Sequence, residues 1–590
     1  MEPIKVDFTG GSGAGKGRGS GKDAYLSPSK TGLKTVISII GTVIGAAIAY
    51  YFMLPPLNFK STELYFYLGV VVFIYLAFQT LLSGVIKKPE YAEYVKKQAI
   101  VPIAVIGVLV AVVGVGMLVS SVVFRASSYS RIISVDENKT FSSDIEKADF
   151  QSVPVLDNAA SVALATRTLG DLASINKESQ FEVAPKFTQI NYKNSPVRVG
   201  TLAYGDIFKW FKNTKEGMPG YIIVDMVTQK TELVMLKAGE YIRYSTEEHF
   251  SKYLMRHVRF EYPTYLFDEP HFEIDENGRP FWLCPVLDKT IGLFGGIDTK
   301  GAVLVNAVTG ECEYYEEVPQ WVDHVYSASL IMQQYNYHGK YTNGFLNSIF
   351  GQRGVTVTTA GYNYIAIDDD VYVYTGVTSV GSDESNIGFI LSNQRTKETK
   401  FYSIAGAEEF SACSSAEGVT QDLGYTATFP ILLNINSQPT YFMSLKDNSN
   451  LVKMYAMVNV QQYQLVATGV TVAECQNNYE RLLLQSNIIS EEEIETTGLT
   501  GIITDIRSAV INGNTFYYFR LDNADKYYMI SAQNSNYAVL CSVGDRVNIN
   551  YDESSKDSVI VTAMSVEILE KAGTVTENPS TEIPLTTPTE

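Results

Sequence analysis

The sequence predicts an α+β protein in three parts. Three transmembrane helices come first, then tandem antiparallel β-hairpin/helix modules, then a small C-terminal β-barrel of OB- or SH3-like kind. Three observations carry this expectation. Long uncharged apolar runs cluster before residue 125, one hairpin pattern recurs four times between residues 220 and 466, and residues 499–570 read as short strands separated by turn signals.

The apolar runs are Thr35–Leu54, Leu64–Ile86 and Ala99–Phe124. Each holds about 20 or more uncharged residues, enough at 1.5 Å per residue to cross a hydrocarbon core of about 30 Å. The first run is too long and starts too deep for a cleaved secretory signal. Orientation follows from the basic residues in the flanks. Lys5, Lys16, Arg18, Lys22, Lys30 and Lys34 precede the first run, Lys60 alone lies in the next loop, and Lys87, Lys88, Lys96 and Lys97 lie in the third. Basic, neutral, basic is the pattern of a cytoplasmic N-terminus, an external loop and a cytoplasmic loop. It predicts a multi-pass cell-membrane protein with residues 125–590 extracytoplasmic. Gly41 and Gly45 form a GxxxG pair in the first helix. Such a pair serves either packing within the chain or an oligomer formed through the transmembrane helices.

Residues 1–34 form a basic, glycine-rich cytoplasmic tail, and 35–124 the membrane region. Gly10 to Lys16 has the spacing of a phosphate-binding loop, but Gly17 stands where a hydroxyl must hold magnesium and no α/β domain follows. A flexible basic linker near anionic headgroups explains the same residues.

Residues 125–483 carry the repeat. Gly220–Val234 (GYIIVDMVTQKTELV), Gly301–Tyr315 (GAVLVNAVTGECEYY), Gly388–Tyr402 (GFILSNQRTKETKFY) and Met454–Val466 (MYAMVNVQQYQLV) align on Asp225, Asn306, Asn393 and Asn459. Three residues on stand Thr228, Thr309, Thr396 and Gln462. Asp or Asn caps a turn with its own side-chain oxygen, and Thr does so more weakly, so each segment reads as a β-hairpin. Upstream of each lies another strand-like run, at Phe187–Val199, Phe272–Val286, Tyr362–Val380 and Phe429–Leu445, interrupted by polar turn residues. Helix signals follow three hairpins. Ser245-x-x-Glu248 and Thr471-x-x-Glu474 have the capping-box pattern, and Pro319 fits a first helical turn ahead of Trp321, Val322, Val325 and Tyr326. A further helix, Asn158–Gly170, precedes the first copy. The Asx positions are 81, 87 and 66 residues apart, too irregular for a solenoid, which favours tandem small α+β modules.

The hairpins VDMVTQKTELV and VNAVTGECEYY, each near a short helix, resemble the PepSY-type module of bacterial envelope proteins. The segments EYPTYLFDEPHFEIDENGRPFW and GYNYIAIDDDVYVYTGVTSVG resemble membrane-anchored surface proteins of clostridial-type Gram-positive bacteria, over roughly residues 125–485. The first resemblance implies a binding or regulatory role at the cell surface, sometimes towards peptidases. Neither carries a catalytic residue across.

An acidic linker, 484–498, leads to the barrel at 499–570, with Asn512-Gly513 as a hairpin turn, and a Pro/Thr-rich disordered tail, 571–590, ends the chain. Residues 1–124 hold 11 Lys/Arg against 6 Asp/Glu, and the remainder 35 against 58. An ectodomain that acidic disfavours nucleic acid, and Tyr517, Tyr518 and Tyr527 read as barrel core or rim rather than as a base-stacking platform.

No residue of the sequence reads as catalytic, cofactor-binding or metal-binding. Cys284, Cys312, Cys413, Cys475 and Cys541 are scattered; Cys284–Cys312 is the one pairing worth weighing. His249, His257, His271, His324 and His338 make no zinc motif; His249 and His257, eight apart on a predicted helix, would stand about 12 Å apart. Glu273-x-Asp275-x-Asn277-Gly278 begins like a calcium loop, but Cys284 occupies the closing position, so a hairpin turn is expected. Asp368, Asp369 and Asp370 read as a solvated turn. Together these features predict a non-enzymatic binding, scaffold or regulatory protein of the bacterial cell envelope, with a protein, peptide or cell-wall partner. The alternatives are a cell-wall or peptide hydrolase and an accessory subunit of a transport or secretion complex.

Overall fold

The structure is a computed structural model that describes residues 28–145, 153–171, 180–367, 369–380, 385–489, 496–511, 514–532, 535, 537–552 and 559–572. The Gly10–Lys16 motif, residues 490–495 of the linker at 484–498, Asp368, the Asn512-Gly513 turn and the tail from 573 lie outside them. The chain divides into two compact units, Met1–Leu118 and Val119–Glu590.

In the first unit, α1 (Thr31–Met53), α2 (Thr62–Ser83) and α3 (Ala92–Val119) are each long and apolar enough to cross a membrane. Ser61 caps α2 by accepting from the Glu63 amide, and Gly84 ends it in the left-handed conformation (φ 80°). That glycine stops the helix three residues short of the predicted Ile86. The GxxxG face lies against α2: a Cβ on Gly41 would come within 2.9 Å of the Phe78 ring, and one on Gly45 within 3.0 Å of Ile74. Tyr67 adds a hydrogen bond from its hydroxyl to the Ala46 carbonyl, 3.1 Å. The third helix departs from its predicted bounds. It starts at Ala92, seven residues early, and ends at Val119 rather than Phe124, because Ser121 caps a new helix, α4 (Val122–Tyr129), by accepting from the Val123 amide.

In the second unit, β1 (Val135–Lys139) and α5 (Phe141–Asp144) precede four consecutive modules. The first comprises α6 (Asn158–Asp171), β2 (Phe181–Val183), β3 (Thr188–Tyr192), β4 (Ser195–Tyr204), α7 (Ile207–Asn213), β5 (Gly220–Asp225) and β6 (Thr231–Met235). The second comprises α8 (Leu254–Glu261), β7 (Leu266–Phe267), β8 (His271–Ile274), β9 (Pro280–Ile291), β10 (Gly295–Asn306) and β11 (Cys312–Tyr315). The third comprises α9 (Ala328–Tyr341), β12 (Thr356–Thr358), β13 (Asn363–Ile367), β14 (Asp370–Ser379), β15 (Ser385–Asn393), β16 (Thr399–Tyr402) and β17 (Gly406–Ala407). The fourth comprises α10 (Glu409–Val419), β18 (Thr426–Ala427), β19 (Ile431–Ile435), β20 (Gln438–Lys446), β21 (Val452–Asn459) and β22 (Val466–Gly469), and α11 (Val472–Gln485) follows it.

All four sheets share one plan. Two short strands divide one edge and both pair with the first long strand; the second long strand and a short strand complete the sheet. In the third, β1 adds to β16 in parallel and β17 pairs with β15. The Asx turn is the common device. Asp225, Asn306, Asn393 and Asn459 each accept two backbone N–H groups, from the residues two and three positions on, at 2.7–3.1 Å. In the first three copies the next residue, Gln229, Gly310 or Lys397, takes positive φ.

The modules interlock. Along β20, Phe442 faces a core shared with the first two modules and α11, while Tyr441, Met443 and Leu445 face one shared with the third. Burial on both faces explains why this strand reads YFMSL rather than alternating with polar residues.

Three helix and pairing expectations are corrected. Residues 319–326 are not helical, and the helix begins only at Ala328, capped by Ser327. Val322 and Val325 instead pack on Leu283, Ala302 and Leu304, while the Asp323 and His324 amides donate to the Glu273 carboxylate rather than along a helix. Ser245 does not open a helix either: α8 starts at Leu254, and Glu248 turns inward. Cys284 and Cys312 are free thiols; β10 lies between their strands, Val303 opposite Cys284 and Val305 opposite Cys312, so two strand spacings part them. Thr471 behaves as predicted, capping α11 by accepting from the Glu474 amide.

The C-terminal part is a closed five-stranded barrel of β23 (Thr496–Ile511), β24 (Asn514–Leu521), β25 (Tyr527–Ser531), β26 (Arg546–Asp552) and β27 (Ile560–Glu570). Its core includes Ile503, Phe519, Tyr528, Ile549 and Val561.

Candidate functional site

Repetition makes deviations visible. The two long strands of the second and fourth modules are joined by three residues (292–294) and five (447–451), whereas the first module uses fifteen (205–219) and builds α7 in them. Insertions on a repeated frame are where binding surfaces are grafted.

The inserted sequence, Asp206-Ile-Phe-Lys-Trp-Phe-Lys-Asn-Thr-Lys215, alternates aromatic and basic residues. Asp206 starts the helix, its Oδ1 accepting from the Phe208 and Lys209 amides at 2.8 and 2.9 Å. The Lys209 amide, ahead of the other donors, holds that carboxyl below the usual range. One turn then sorts its side chains. Trp210 points inward, whereas Phe208 is 75% exposed and Phe211 61%.

Glu248 holds this tip to the module. Its buried carboxylate accepts from the Trp210 Nε1 at 2.7 Å and the Tyr204 hydroxyl at 2.6 Å, with the Thr214 hydroxyl at 3.5 Å. Burial, with Glu248 as hydrogen-bond partner, pushes the Tyr204 hydroxyl pKa up. Around Trp210 stand Phe211, His249 and Phe250, with ring centroids at 4.7, 5.0 and 5.6 Å. Lys252 donates to the Thr214 carbonyl and Arg256 to the Phe250 carbonyl.

Phe250 is the unusual member. It is 54% exposed and its φ is 51°, a left-handed conformation that costs an L-residue roughly 1–2 kcal/mol. Phe250 thus combines a strained backbone with a phenyl ring exposed to solvent. Lys212 and Lys215 are exposed in the same loop, as are Asp206 and Glu216, so the tip is apolar with charges of both signs and a small cationic excess on an acidic chain. It can seat aromatic anchors in a crevice while pairing lysines with a partner's carboxylates.

No family model, curated protein or solved structure matches this chain. The resemblance to PepSY-type modules therefore rests on the hairpin residues alone.

A second feature is a buried polar centre where the first three modules meet. Glu273 of β8 accepts from the Asp323 and His324 amides, both at 3.1 Å. Asp323 accepts from the Asn191 amide at 2.8 Å, and the His324 Nε2 meets the Gln189 carbonyl of β3. His271 stacks on His324 with centroids 5.2 Å apart, and Arg198 of β4 reaches the Gln189 side chain at 3.3 Å. Burial dominates the titration of every group here. It pushes Glu273 up to about 7 and Asp323 well above its ordinary value, Asp323 also feeling Glu273, and drives His271 down to about 4 and His324 to about 3. Burial thus shifts both carboxyls towards their protonated forms and both imidazoles towards their neutral ones. The Asp323 Oδ1, His324 Nδ1, His271 Nε2 and Arg198 Nε have no hydrogen-bond partner among the described residues. Glu273, Asp323, His324 and Arg198 are buried and His271 partly so, and the centre reads as a structural junction.

The other residues singled out from sequence fall into ordinary roles. The His257 Nε2 meets the Gly310 carbonyl at 2.6 Å, and the His338 Nδ1 meets the Ser130 carbonyl at 3.0 Å. Asp275 closes its hairpin by accepting from the Asn277 and Arg279 amides. Asp370 pairs with Arg395, and Asp369 accepts from Gln320 at 3.2 Å. Tyr517 packs on the barrel core, and Tyr527 donates to Asp505 at 2.7 Å. Among the described residues no group of three His, Cys, Asp or Glu side chains could hold a metal ion. Sequence reasoning missed the tip, although its Phe/Lys alternation was a signal.

Proposed function

We propose that the protein is a membrane-anchored extracytoplasmic binding or scaffold protein of the bacterial cell envelope, and that the tip formed by α7 and Phe250 is its binding face. The observation that carries this reading is the strained, exposed Phe250 together with exposed Phe208 and Phe211, the latter two in a loop that also exposes Lys212 and Lys215 and forms the elaborated strand connection of the first module. The partner it fits is an acidic protein, peptide or wall polymer offering an apolar crevice. The basic–neutral–basic flanks of the three spans support the extracytoplasmic placement. Gly41 and Gly45 spend their small-residue face on α2, which favours packing within the chain over an oligomer through that face.

The barrel is of OB type in this reading, supported by the closed order β23-β24-β25-β27-β26 with β25 and β27 parallel. The acidity of the chain beyond residue 124 argues for a ligand other than nucleic acid.

A photo-crosslinking residue in place of Phe208, introduced into the full chain in intact cells, is expected to give a discrete adduct; one in place of exposed Tyr463, in the fourth module, is expected to give none. F211S/F250S should cut the Phe208 adduct at least about tenfold. Adducts of equal yield from both positions, or none from position 208, would contradict the reading.

A further inference from the structure

The buried polar centre contains a positive charge without a counter-charge. Gln189 of β3 and Arg198 of β4 stand directly opposite one another, on the face away from Ile190 and Val197, which enter the apolar core. Arg198 is 6% exposed and Gln189 1%. Among the described residues, the Arg198 side chain makes one hydrogen bond, from Nη2 to the Gln189 Oε1 at 3.3 Å, and joins no ion pair. The Arg198 Nε and the Gln189 Nε2 are both buried without an acceptor. Nε shares its carbon with that Nη2, and Nε2 shares its carbon with that Oε1, so the two free donors are neighbours. A guanidinium cannot shed its proton as a buried lysine can. Burial pulls its pKa down, opposed by Tyr364 and then by Asp157 and Tyr362. Asp157 is already committed: its Oδ2 accepts from buried Lys446 at 2.5 Å and its Oδ1 from the Ala160 amide at 2.8 Å. Glu273 and Asp323 are shifted by burial towards their neutral forms.

We infer that a small inorganic monoanion of the chloride class binds beside Arg198 and accepts hydrogen bonds from its Nε and from the Gln189 Nε2. The charge decides the ligand. Two buried cations, Arg198 and Lys446, share one carboxylate that Lys446 already holds, and a buried ion left unpaired is strongly destabilising. Water can accept from both N–H groups but cannot neutralise the guanidinium. The burial of both side chains favours a small ion over an organic anion. The bound ion would pin β3 and β4 of the first module at its junction with the loop that carries Asp323 and His324. The inference is independent of the α7 tip.

The test holds the full chain in detergent micelles at constant ionic strength while chloride replaces gluconate, and reads urea unfolding by tryptophan fluorescence. Stability is expected to rise with the logarithm of chloride concentration, by about 1.4 kcal/mol for each tenfold above the dissociation constant. Arg198→Met should lose that rise. Gln189→Leu, which keeps the charge and removes one donor, should move its onset to at least about tenfold higher chloride. In crystals of the parent soaked in bromide, an anomalous peak is expected within hydrogen-bonding distance of the Arg198 Nε. Stability that ignores chloride, or that rises equally in Arg198→Met, would overturn the inference, and a bromide peak without chloride dependence would then mark an adventitious ion only. Bromide crystals with no peak at Arg198 would overturn it equally, leaving water as the acceptor.

Discussion

Replacing Glu273 by alanine is expected to cost about 4 kcal/mol, because it leaves the Asp323 and His324 amides buried without acceptors, at roughly 1–3 kcal/mol each. The urea midpoint of the full chain, read by tryptophan fluorescence, should fall accordingly, since Trp282 lies in the affected module and Trp321 packs against it. Asp323→Asn should behave in the opposite way. The Asp323 carboxyl is raised by burial and by Glu273, so the folded chain holds a proton there that the unfolded chain releases near the ordinary carboxyl value. Its contribution to stability is full below that value and is lost as pH rises. Asparagine fixes the neutral form, and its side-chain carbonyl still accepts from the Asn191 amide. The variant should exceed its parent in stability at pH 8, with the difference closing towards pH 4. His271 and His324 have the reverse sign: their contribution is full above about 6.5 and is lost as pH falls towards about 4 and 3. A gain that grew on acidification would refute this assignment of protons.

Glu248→Ala should loosen the α7 tip rather than the whole unit. It removes the acceptor shared by Trp210, Tyr204 and Thr214, a loss of about 3 kcal/mol for a buried charged acceptor, which corresponds to about two orders of magnitude in local opening. Amide exchange over residues 206–215 should accelerate by that factor while the β20 and β21 amides keep their protection. Glu248→Gln, which preserves an acceptor for the indole, should retain most of it. Unchanged exchange in the alanine variant would remove Glu248 from its proposed role.

Local chemistry made much of this fold legible before any coordinates. The three helices long and apolar enough to cross a membrane follow from uninterrupted apolar length. The four hairpins follow from one Asx residue, whose oxygen finds amides two and three positions along, and the interrupted strands upstream follow from turn residues such as Lys193-Asn194 and Asn436-Ser437, all at positive φ. What failed was decided by distant partners. Pro319–Tyr326 has helical spacing, yet its amides are claimed by Glu273, some 50 residues earlier in the chain. Ser245-x-x-Glu248 has the form of a capping box, yet the carboxylate is committed to Trp210 and Tyr204 across the module. The candidate site divides the same way. The Phe/Lys alternation of α7 stands in the sequence, whereas the strained Phe250 that completes the tip comes from a segment 40 residues on. No local pattern announces it.

The side of the membrane on which the modules stand decides the account. Protoplasts carrying the full chain, treated with a membrane-impermeant amine reagent and analysed by mass spectrometry, provide the direct measurement. Exposed Lys212 and Lys215 on the tip should be modified while exposed Lys87 and Lys88, between α2 and α3, stay unmodified until the cells are lysed. Modification of Lys87 and Lys88 in intact protoplasts, with Lys212 and Lys215 protected, would place the tip in the cytoplasm and contradict it.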